Sequence, residues 1–446
     1  MNRTLRGWTV TLAGTGINLA LGVLYTWSVF AAALTEQLHW SKTAASLPYT
    51  VACAVFALMM VPGGRLQDRY GPRWVATVGG LFAGGGLILS SFTHSLLLLT
   101  LTFGLVAGIG IGLGYSAATP AAIKWFPPQK KGLISGMVVA GFGLASLYIA
   151  PTTNQLIKNF SIEGAFRIEG LFFLLVIVGL SQVLTVPKTP SSSSVSLVSS
   201  VPSSSREGAH PQNEHLPTST STPFSSSSIF STSLPPHEVK IEFTWQEMLK
   251  DSRFYLLWIM FGSGATAGLM IIGQLSTITK VQTGVSWGYA MVALLAIFNA
   301  GGRILAGWLS DRIGRRWTMR IFFTLQALNM LVFNFYNTPA LIACGAALAG
   351  LSYGSLLSLF PSATYDFFGT KNGGVNYGLV FTAWGVGGVL GPLMAGTVVD
   401  LTNNYFIAYL IAASLCLVAS LLTFLLKAKP IETASGERIL VQEACK

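Results

Sequence analysis

The chain has 446 residues, of which 52% are hydrophobic and only 10% are charged, with 48 glycines and a net charge of +11. A water-facing domain normally carries about a quarter charged residues, so the composition excludes a soluble globular protein. It predicts an all-α integral membrane protein. The four cysteines are scattered along the chain, and neither a disulfide framework nor a metal site is predicted.

Twelve apolar segments are long enough to cross a membrane, because about twenty residues of helix span the roughly 30 Å hydrocarbon core. The seventh and ninth are the least apolar, since they contain Gln274, Gln326 and Asn329. The predicted spans are 9–33, 44–62, 74–92, 96–123, 132–156, 164–186, 254–278, 287–308, 320–336, 339–360, 377–399 and 406–426.

A segment rich in Ser, Thr and Pro, at 187–242, separates the sixth and seventh spans. Such a composition cannot bury a core, so this segment is predicted to be a disordered cytoplasmic linker. It divides an N-terminal six-helix bundle at 1–186 from a C-terminal six-helix bundle at 243–427, and a cytoplasmic tail follows at 428–446. Residues 243–254 are predicted to form a short amphipathic helix on the membrane surface.

The basic residues set the orientation of the chain. With both termini in the cytoplasm, most of the 27 Lys and Arg fall in cytoplasmic segments, and the outer loops hold only Lys42, Lys158, Arg167 and Lys280. This asymmetry follows the positive-inside rule. It predicts a multi-pass protein of the cell's inner (plasma) membrane and explains the net charge without any nucleic-acid partner.

The two halves repeat each other. The segment Gly64–Arg73, GRLQDRYGPR, recurs as Gly307–Arg316, GWLSDRIGRR. Two weaker matches have nearly the same separation: Pro120–Phe126 with Pro361–Phe367, and Gly136–Gly143 with Gly378–Gly385. Their agreement predicts a duplicated six-span unit, an architecture typical of secondary transporters.

The repeated motif resembles the signature of the major facilitator superfamily, and the likeness covers the chain except for the linker. More narrowly, LGVLYTWSVF at Leu21–Phe30, NAGGRILAGWLSDRIGRR at Asn299–Arg316 and YGLVFTAWGVGG at Tyr377–Gly388 are similar to the oxalate/formate antiporter family. That family also contains bacterial relatives of the lactate and pyruvate transporters. The resemblance implies a carrier of small carboxylates in which Arg303, in the eighth span, binds the anion.

Two departures from this resemblance bear on the substrate. The oxalate carrier has a lysine in its eleventh span, where this chain has Trp384. One cation beside an aromatic wall suits a monoanion with a short apolar end better than oxalate. Animal lactate carriers have an aspartate one turn before the arginine, where this chain has Asn299. A proton mechanism therefore does not transfer directly from them.

Arg303 is also a candidate on physical grounds. A charged residue at a helix centre costs about 2.5–3.5 kcal/mol on insertion scales and usually faces a cavity or a partner. The planar guanidinium fits one carboxylate in bidentate fashion. The alternative is that Arg303, near the end of its span, extends toward cytoplasmic water.

Other polar and aromatic side chains within the spans are candidates for the same site. Asn299 lies one turn before Arg303 on the same helix face, and the alternative is a hydrogen bond between helices. Tyrosines and tryptophan also favour membrane interfaces, which is their alternative role. The predicted substrate-binding residues are Arg303, Asn299, Tyr25, Tyr115, Tyr353 and Trp384, with Gln274 and Asn18 as weaker candidates.

The repeated loops supply a second set of candidates, Asp68, Arg69, Asp311 and Arg312. An acidic residue at a helix start complements the helix dipole, and the arginines could bind carbonyls or carboxylates of the other half. We expect these residues to gate the transporter rather than to bind substrate. The alternative, a topology signal plus helix caps, explains the charges but not their repeated spacing.

The sequence leaves the coupling open. All five histidines fall outside the predicted spans, and of the 16 acids only Glu169 and Asp366 are expected to be able to enter the membrane, both near span ends. No mid-membrane carboxylate or histidine is therefore expected to shuttle protons. Either one anion exchanges for another, or a proton travels with the carboxylic acid near Arg303.

We expect a secondary active transporter of a small monocarboxylate of the lactate, pyruvate or formate type, working by alternating access as a monomer. Proton symport is favoured over exchange, because the substrate then crosses without net charge. The sequence contains no phosphate-binding loop and no nucleophile–base pair, so neither an enzyme nor a cofactor is predicted. The alternatives are an oxalate/formate or other carboxylate antiporter, a non-transporting carboxylate sensor, and an efflux pump for apolar cations, which the charge of Arg303 disfavours.

Overall fold

The computed structural model describes residues 3–187, 242–285, 287–402 and 404–426, and two short paired strands, Ile431–Glu432 and Arg438–Ile439. The rest of the fold is helical. The helices are α1 (Arg3–Leu21), α2 (Trp27–Gln37), α3 (Lys42–Tyr70), α4 (Pro72–Ser90), α5 (Leu96–Leu99), α6 (Gly108–Ile123), α7 (Lys131–Ser181), α8 (Trp245–Leu249), α9 (Ser252–Thr283), α10 (Gly288–Ile313), α11 (Arg315–Phe333), α12 (Pro339–Phe368), α13 (Gly373–Thr402) and α14 (Phe406–Leu422).

Two predicted spans contain local departures from α-helical geometry, and a third departure lies between two spans. A 3₁₀ turn at Gly22–Thr26 joins α1 to α2, and a π-helical segment at Thr100–Ala107 joins α5 to α6. The 51-residue α7 is interrupted at Ser161, whose φ of 71° and ψ of 175° are not helical. The helical stretches on either side of Ser161 correspond to the predicted fifth and sixth spans.

Nine helices in the described part of the chain are long and apolar enough to cross a membrane. Two others do not meet that criterion: α14, with 17 residues, is short, and α11 carries three arginines in its first six residues. The all-helical membrane fold is therefore confirmed, while the count of twelve spans stays a prediction. The predicted linker at 187–242 and tail at 428–446 lie almost wholly outside the described residues.

Two of the three polar residues that weaken the predicted seventh and ninth spans bind other parts of the protein. Asn329 on α11 is buried; its side-chain amide donates to the carbonyl of Gly345 on α12 at 3.0 Å and accepts from the Tyr336 hydroxyl at 3.3 Å. In the predicted seventh span, Gln274 accepts a hydrogen bond from the Tyr405 hydroxyl at 3.2 Å. Gln326 is also buried, but its side-chain amide has no hydrogen-bond partner in the described structure.

The predicted surface helix at 243–254 is shorter than expected and is held by the protein itself. Thr244 caps α8 in a reciprocal pair with Glu247, and the backbone N–H and hydroxyl of Thr244 lower the pKa of that carboxyl. Met248 is fully buried, and the Phe243 N–H donates to the Phe368 carbonyl at the end of α12, at 2.9 Å. The chain after the linker is thus fixed to α12.

The duplicated motif has the same backbone geometry in both halves. Gly71 ends α3 and precedes α4 with φ 87° and ψ 161°, and Gly314 ends α10 and precedes α11 with φ 88° and ψ 157°. Only glycine adopts this region without strain. The glycine of each motif is therefore required by the sharp turn between two helices, which explains why it recurs.

A second glycine pattern brings helices of the two halves into backbone contact. A Cβ atom added to Gly132 of α7 or to Gly307 of α10 would overlap the other residue's carbonyl oxygen. Gly64 of α3 and Gly374 of α13 are in the same reciprocal relation. The helix pairs α7–α10 and α3–α13 therefore cross without intervening side chains, in the close packing that small residues allow in membranes.

The turn at Gly71 generates a testable prediction. In Gly71→Ala the new methyl group has open space around it, so the cost is confined to the backbone, and we expect the free energy of unfolding to fall by about 1–3 kcal/mol. Gly85→Ala, within α4 and also in open space, is the matched control and should not destabilise the protein. Thermal unfolding in detergent measures both, and equal stability of the two variants would contradict the assignment of strain.

Candidate functional site

Arg303 lies inside α10 with its side chain fully buried. Its Nε donates to the Asn299 side-chain oxygen at 3.2 Å, and its Nη1 donates to the Val139 carbonyl of α7. Its Nη2 is also buried and has no hydrogen-bond partner in the described structure. The alternative interpretation required the guanidinium to extend to water, and it does not. The group retains donor capacity for a ligand.

Glycines of α7 make room for this arginine. A Cβ atom on Gly136 would overlap the Arg303 carbonyl, and one on Gly143 would lie 3.3 Å from the guanidinium carbon. These two positions are the ends of the predicted glycine repeat. Their lack of side chains lets α10 approach α7 until Arg303 reaches the backbone carbonyl of Val139.

Three of the predicted site residues form a hydrogen-bonded chain. The Trp384 indole N–H donates to the Tyr353 hydroxyl at 2.8 Å, and the Tyr353 hydroxyl lies 3.3 Å from the Tyr25 hydroxyl. Tyr25 is on the 3₁₀ turn of the first half, whereas Tyr353 on α12 and Trp384 on α13 belong to the second. The chain of hydroxyls thus joins the two halves.

Tyr115 of α6 completes the predicted set. It is buried, and its hydroxyl has no hydrogen-bond partner among the described residues. The Arg303 charge acts on the hydroxyl of Tyr115 and on those of Tyr353 and Tyr377. The structure therefore brings hydroxyls from both halves into the electrostatic range of a single guanidinium.

Aromatic rings that sequence reasoning missed enclose these groups. Phe56 lies between Tyr115 and Trp384, with ring centroids 5.3 and 5.4 Å away, Phe142 lies 5.4 Å from Tyr115, and Phe381 stacks on Trp384 at 5.1 Å. Tyr377, Phe381 and Trp384 share one face of α13, a spacing visible in the sequence. Phe56 and Phe142 carry no such signal, because their position depends on how separate helices pack.

The two weaker candidates have separate surroundings. Asn18 on α1 donates to the Val138 carbonyl at 2.9 Å, next to the residue that binds Arg303, and its side-chain oxygen has no partner in the described structure. Gln274 binds Tyr405 instead, as described above. A polar cavity of about 300 Å³ lies near Tyr405, at the ends of α9 and α11, and not at Arg303; its lining residues are Val281, Gln282, Asn334, Asn337, Asn404 and Tyr405.

The motif aspartates bind helix starts in the opposite half. Asp311 accepts hydrogen bonds from the backbone N–H groups of Gly132 and Leu133 at 2.9 and 2.8 Å, where α7 begins. Asp68 accepts from the Val375 N–H at 3.0 Å, where α13 begins. Carboxylates at helix N-termini satisfy free N–H groups and complement the helix dipole. We refer to these interactions of Asp68 and Asp311 as the motif-side contacts.

Charged partners of the motif-side contacts are unequal in the two halves. Asp311 pairs with Arg315 at 2.7 Å, and Arg315 also pairs with Asp366 at 2.9 Å, which in turn binds Lys131 of the first half at 3.1 Å. Among the described residues Asp68 pairs with Lys124, at 3.8 Å. Lys131, Arg315 and Asp366 are functional candidates that sequence reasoning missed, since their pairing joins distant parts of the chain.

The motif arginines differ from the expectation that they would bind the other half. Arg69 and Arg312 are exposed, and each guanidinium stacks on an aromatic ring of its own helix, Tyr70 at 5.3 Å and Trp308 at 4.1 Å. The physical reason is helix periodicity, because the residue after each aspartate points to a different side of the helix. Of the four motif residues, the two aspartates bind the other half in the described structure, and the two arginines stack on their own helices.

Comparisons with known proteins agree with this architecture. The sequence profile of the Major Facilitator Superfamily matches residues 12–312 and 282–440. The chain is 28% identical over 419 residues to the oxalate:formate antiporter of Oxalobacter formigenes, covering 91% of this chain and 88% of that protein. It is 25% identical over 428 residues to monocarboxylate transporter 13 of Rattus norvegicus, covering 93% and 87%. The crystal structure of the transporter FucP in its outward conformation superposes with a TM-score of 0.66 at 11% identity, covering 94% of this chain and 98% of that one.

The motif-side contacts predict that removing Asp311 loosens the start of α7, whereas removing the neighbouring Arg312 does not. In a background where Cys53, Cys344, Cys416 and Cys445 are serine, a cysteine replaces the buried Ser135 of α7. Asp311→Ala removes the carboxylate that holds the start of α7, so labelling of this cysteine by a membrane-impermeant maleimide should rise about tenfold, the effect of losing about 1.4 kcal/mol.

The matched control is Arg312→Ala, which removes the neighbouring charge without touching the other half. Labelling should then stay at the level of the parent. Equal labelling of both variants would show that general charge in the loop, rather than the aspartate contact, keeps this side closed.

Proposed function

The chain belongs to the Major Facilitator Superfamily, and from this premise we propose that it transports a small monocarboxylate of the lactate, pyruvate or formate type by alternating access. Members of the superfamily are multi-pass membrane transporters and not enzymes. The observation that carries the proposal is the buried Arg303 guanidinium, with its unpaired Nη2 among hydroxyls of both halves. A carboxylate is the ligand that best satisfies such a group.

The surroundings of Arg303 favour a small substrate with one negative charge. The rings of Phe56, Phe142 and Phe381 enclose the site, and Trp384 occupies the position at which the resemblance implies a lysine in the oxalate carrier. An apolar wall accommodates a methyl group and disfavours a second carboxylate. Asn299 and the hydroxyls of Tyr25, Tyr115 and Tyr353 are the proposed additional ligands.

The relatives support this substrate class without fixing it. One is named an oxalate:formate antiporter and another a monocarboxylate transporter, each at less than 30% identity. Exchange of one carboxylate for another is therefore the second candidate mechanism, beside proton symport. The two differ in whether a proton gradient drives uptake.

The proposed topology has twelve spans in two bundles of six, with both termini in the cytoplasm of the inner membrane and a monomer as the working unit. The interruption of α7 at Ser161 supports counting it as two spans, and the distribution of Lys and Arg supports the orientation. The motif-side contacts of Asp68 and Asp311 would then be the cytoplasmic gate, with Arg69 and Arg312 beside them.

Two sets of contacts between the halves support alternating access. The motif-side contacts hold the starts of α7 and α13, and the Tyr25–Tyr353 hydrogen bond joins the halves at the site itself. A carboxylate bound to Arg303 would compete for these tyrosine hydroxyls, because a carboxylate only accepts hydrogen bonds. Substrate binding thereby changes the contact between the halves.

The central test is binding and uptake of labelled L-lactate by the protein in proteoliposomes. Arg303→Ala should weaken binding about 10–100-fold, the effect of losing hydrogen bonds to a charged group. Arg303→Lys should restore only part of it, because an ammonium lacks the planar fork. Gly301→Ala, on the same helix with open space around it, is the control. A fully active Arg303→Ala, or no binding of any small carboxylate by the wild type, would refute the proposal.

Trp384 offers a test of specificity. Trp384→Lys places a second cation in the site, and we expect the ratio of oxalate to lactate affinity to rise at least about tenfold, since each added ionic hydrogen bond contributes about 1.5–3 kcal/mol. Trp384→Phe removes the indole N–H that binds Tyr353 but adds no charge, and it should leave the ratio near the wild-type value. A ratio that changes equally in both variants would mean that Trp384 only fills space.

A further inference from the structure

Glu169 on α7 is a buried carboxyl group that the proposed substrate site does not use. Its exposure is 4%, although the sequence placed it near the end of a span. It lies roughly 12 Å of helix rise beyond the interruption at Ser161. If the interruption between the predicted fifth and sixth spans lies at the membrane surface, this distance places Glu169 inside the roughly 30 Å hydrocarbon core. The sequence placed Glu169 near the end of its span, and the structure adds that its carboxyl group is buried inside the protein.

Apolar helices surround this carboxyl group. Its neighbour Gly170 packs against Gly84 and Ile88 of α4, and Phe166, one turn earlier, stacks on Phe30 of α2 with ring centroids 4.1 Å apart. A carboxylate in such surroundings loses its hydration, and the cost is large unless cations or several donors replace the water.

The charged groups recorded near Glu169 do not neutralise it. No ion pair in the described structure includes Glu169, and the titratable side chain that interacts with it is Tyr148, whose hydroxyl donates to the Leu19 carbonyl of α1 at 2.9 Å. Closer to the Ser161 end, Glu163 pairs with the exposed His94, and Arg167 stacks on Phe92. These groups have partners of their own.

The hydrogen bonds of Thr153 give Glu169 a partner in both of its forms. The Thr153 hydroxyl can donate to Glu169 Oε1 or to the Ile149 carbonyl, 2.8 Å away, but it has one proton for the two acceptors. When Thr153 donates to Ile149, the contact with Glu169 is satisfied by a protonated carboxyl that donates to the Thr153 oxygen. The other carboxyl oxygen, Oε2, is buried without a partner in the described structure.

We propose that Glu169 is a proton-binding site, separate from Arg303, that takes up and releases the proton coupled to carboxylate transport. In the conformation of this structure the proton is bound to a carboxylate oxygen of Glu169. It is released to water when movement of the helices lets water reach Thr153 and Glu169. One proton and one monocarboxylate then cross together without net charge. The proposal rests on the proposed function for its substrate, and it replaces a proton carried by the substrate with one carried by the protein.

The test compares two modes of L-lactate transport in proteoliposomes. Glu169→Gln mimics the protonated acid permanently, so exchange of internal for external lactate at equal pH should stay within about twofold of wild type. Uptake driven by an inward proton gradient should fall at least about tenfold, because the variant cannot release its proton. A merely structural role would lower both modes together, which would overturn the proposal.

Glu163→Gln is the matched control, a carboxyl on the same helix whose partner His94 is exposed. It should keep both modes at the wild-type rate. If Glu163→Gln loses gradient-driven uptake and Glu169→Gln keeps it, the assignment of proton binding to Glu169 is wrong. If wild-type uptake ignores the gradient, the inference fails while carboxylate exchange through Arg303 stands; if the wild type neither binds nor transports lactate, the proposed function itself fails.

A measurement on the wild-type protein avoids dependence on a folded variant. Infrared spectra of protein with ¹³C-labelled glutamate should show the C=O stretch of a protonated glutamic acid at neutral pH, because the exposed glutamates are ionised there. This band should disappear in Glu169→Gln. Absence of any such band in the wild type would overturn the proposal.

Discussion

A guanidinium removed from water must find its hydrogen-bond acceptors inside the protein, and this constraint organises the centre of the molecule. Arg303 meets it with one side chain of its own helix and one backbone carbonyl of the other half. The second contact requires α7 and α10 to approach closely, which in turn requires Gly136 and Gly143. The small residues of α7 and the buried arginine of α10 are therefore parts of one arrangement, and neither would be stable without the other.

Much of the architecture could be predicted because membrane helices leave strong signals. Apolar length, the distribution of Lys and Arg and the repeated motif identified a helical, duplicated membrane protein, and the helical spacing of Asn299 and Arg303 placed both on one face. The count of spans is harder to predict, since α11 owes its polarity to arginines at its start and to buried amide side chains such as Asn329, which binds α12. Hydropathy cannot separate such a helix from one that lies outside the membrane.

What could not be predicted depends on packing between distant segments. The Val139 carbonyl beside Arg303 and the Phe56 ring beside Tyr115 become neighbours of the site only when helices of separate sequence position pack. The expectation for Arg69 and Arg312 failed for the opposite reason: the motif gives the spacing of charges but not the side of the helix on which each points. Glu169 was judged by its distance from the end of a span, whereas its burial depends on the chain reversing at Ser161 and bringing Thr153 against it.

The two copies of the repeated motif have the same backbone geometry, but the charged residues around their aspartates differ. Asp311 contacts Arg315, which continues through Asp366 to Lys131, whereas in the described structure Asp68 has one ion pair, with Lys124 at 3.8 Å. The matching backbone of the two motifs therefore does not carry a matching set of charges. The start of α7 is held within a network of four charged side chains, and the start of α13 is held by one aspartate with a single, longer ion pair. The two junctions are thus alike in shape and unlike in the electrostatic work that separating them requires.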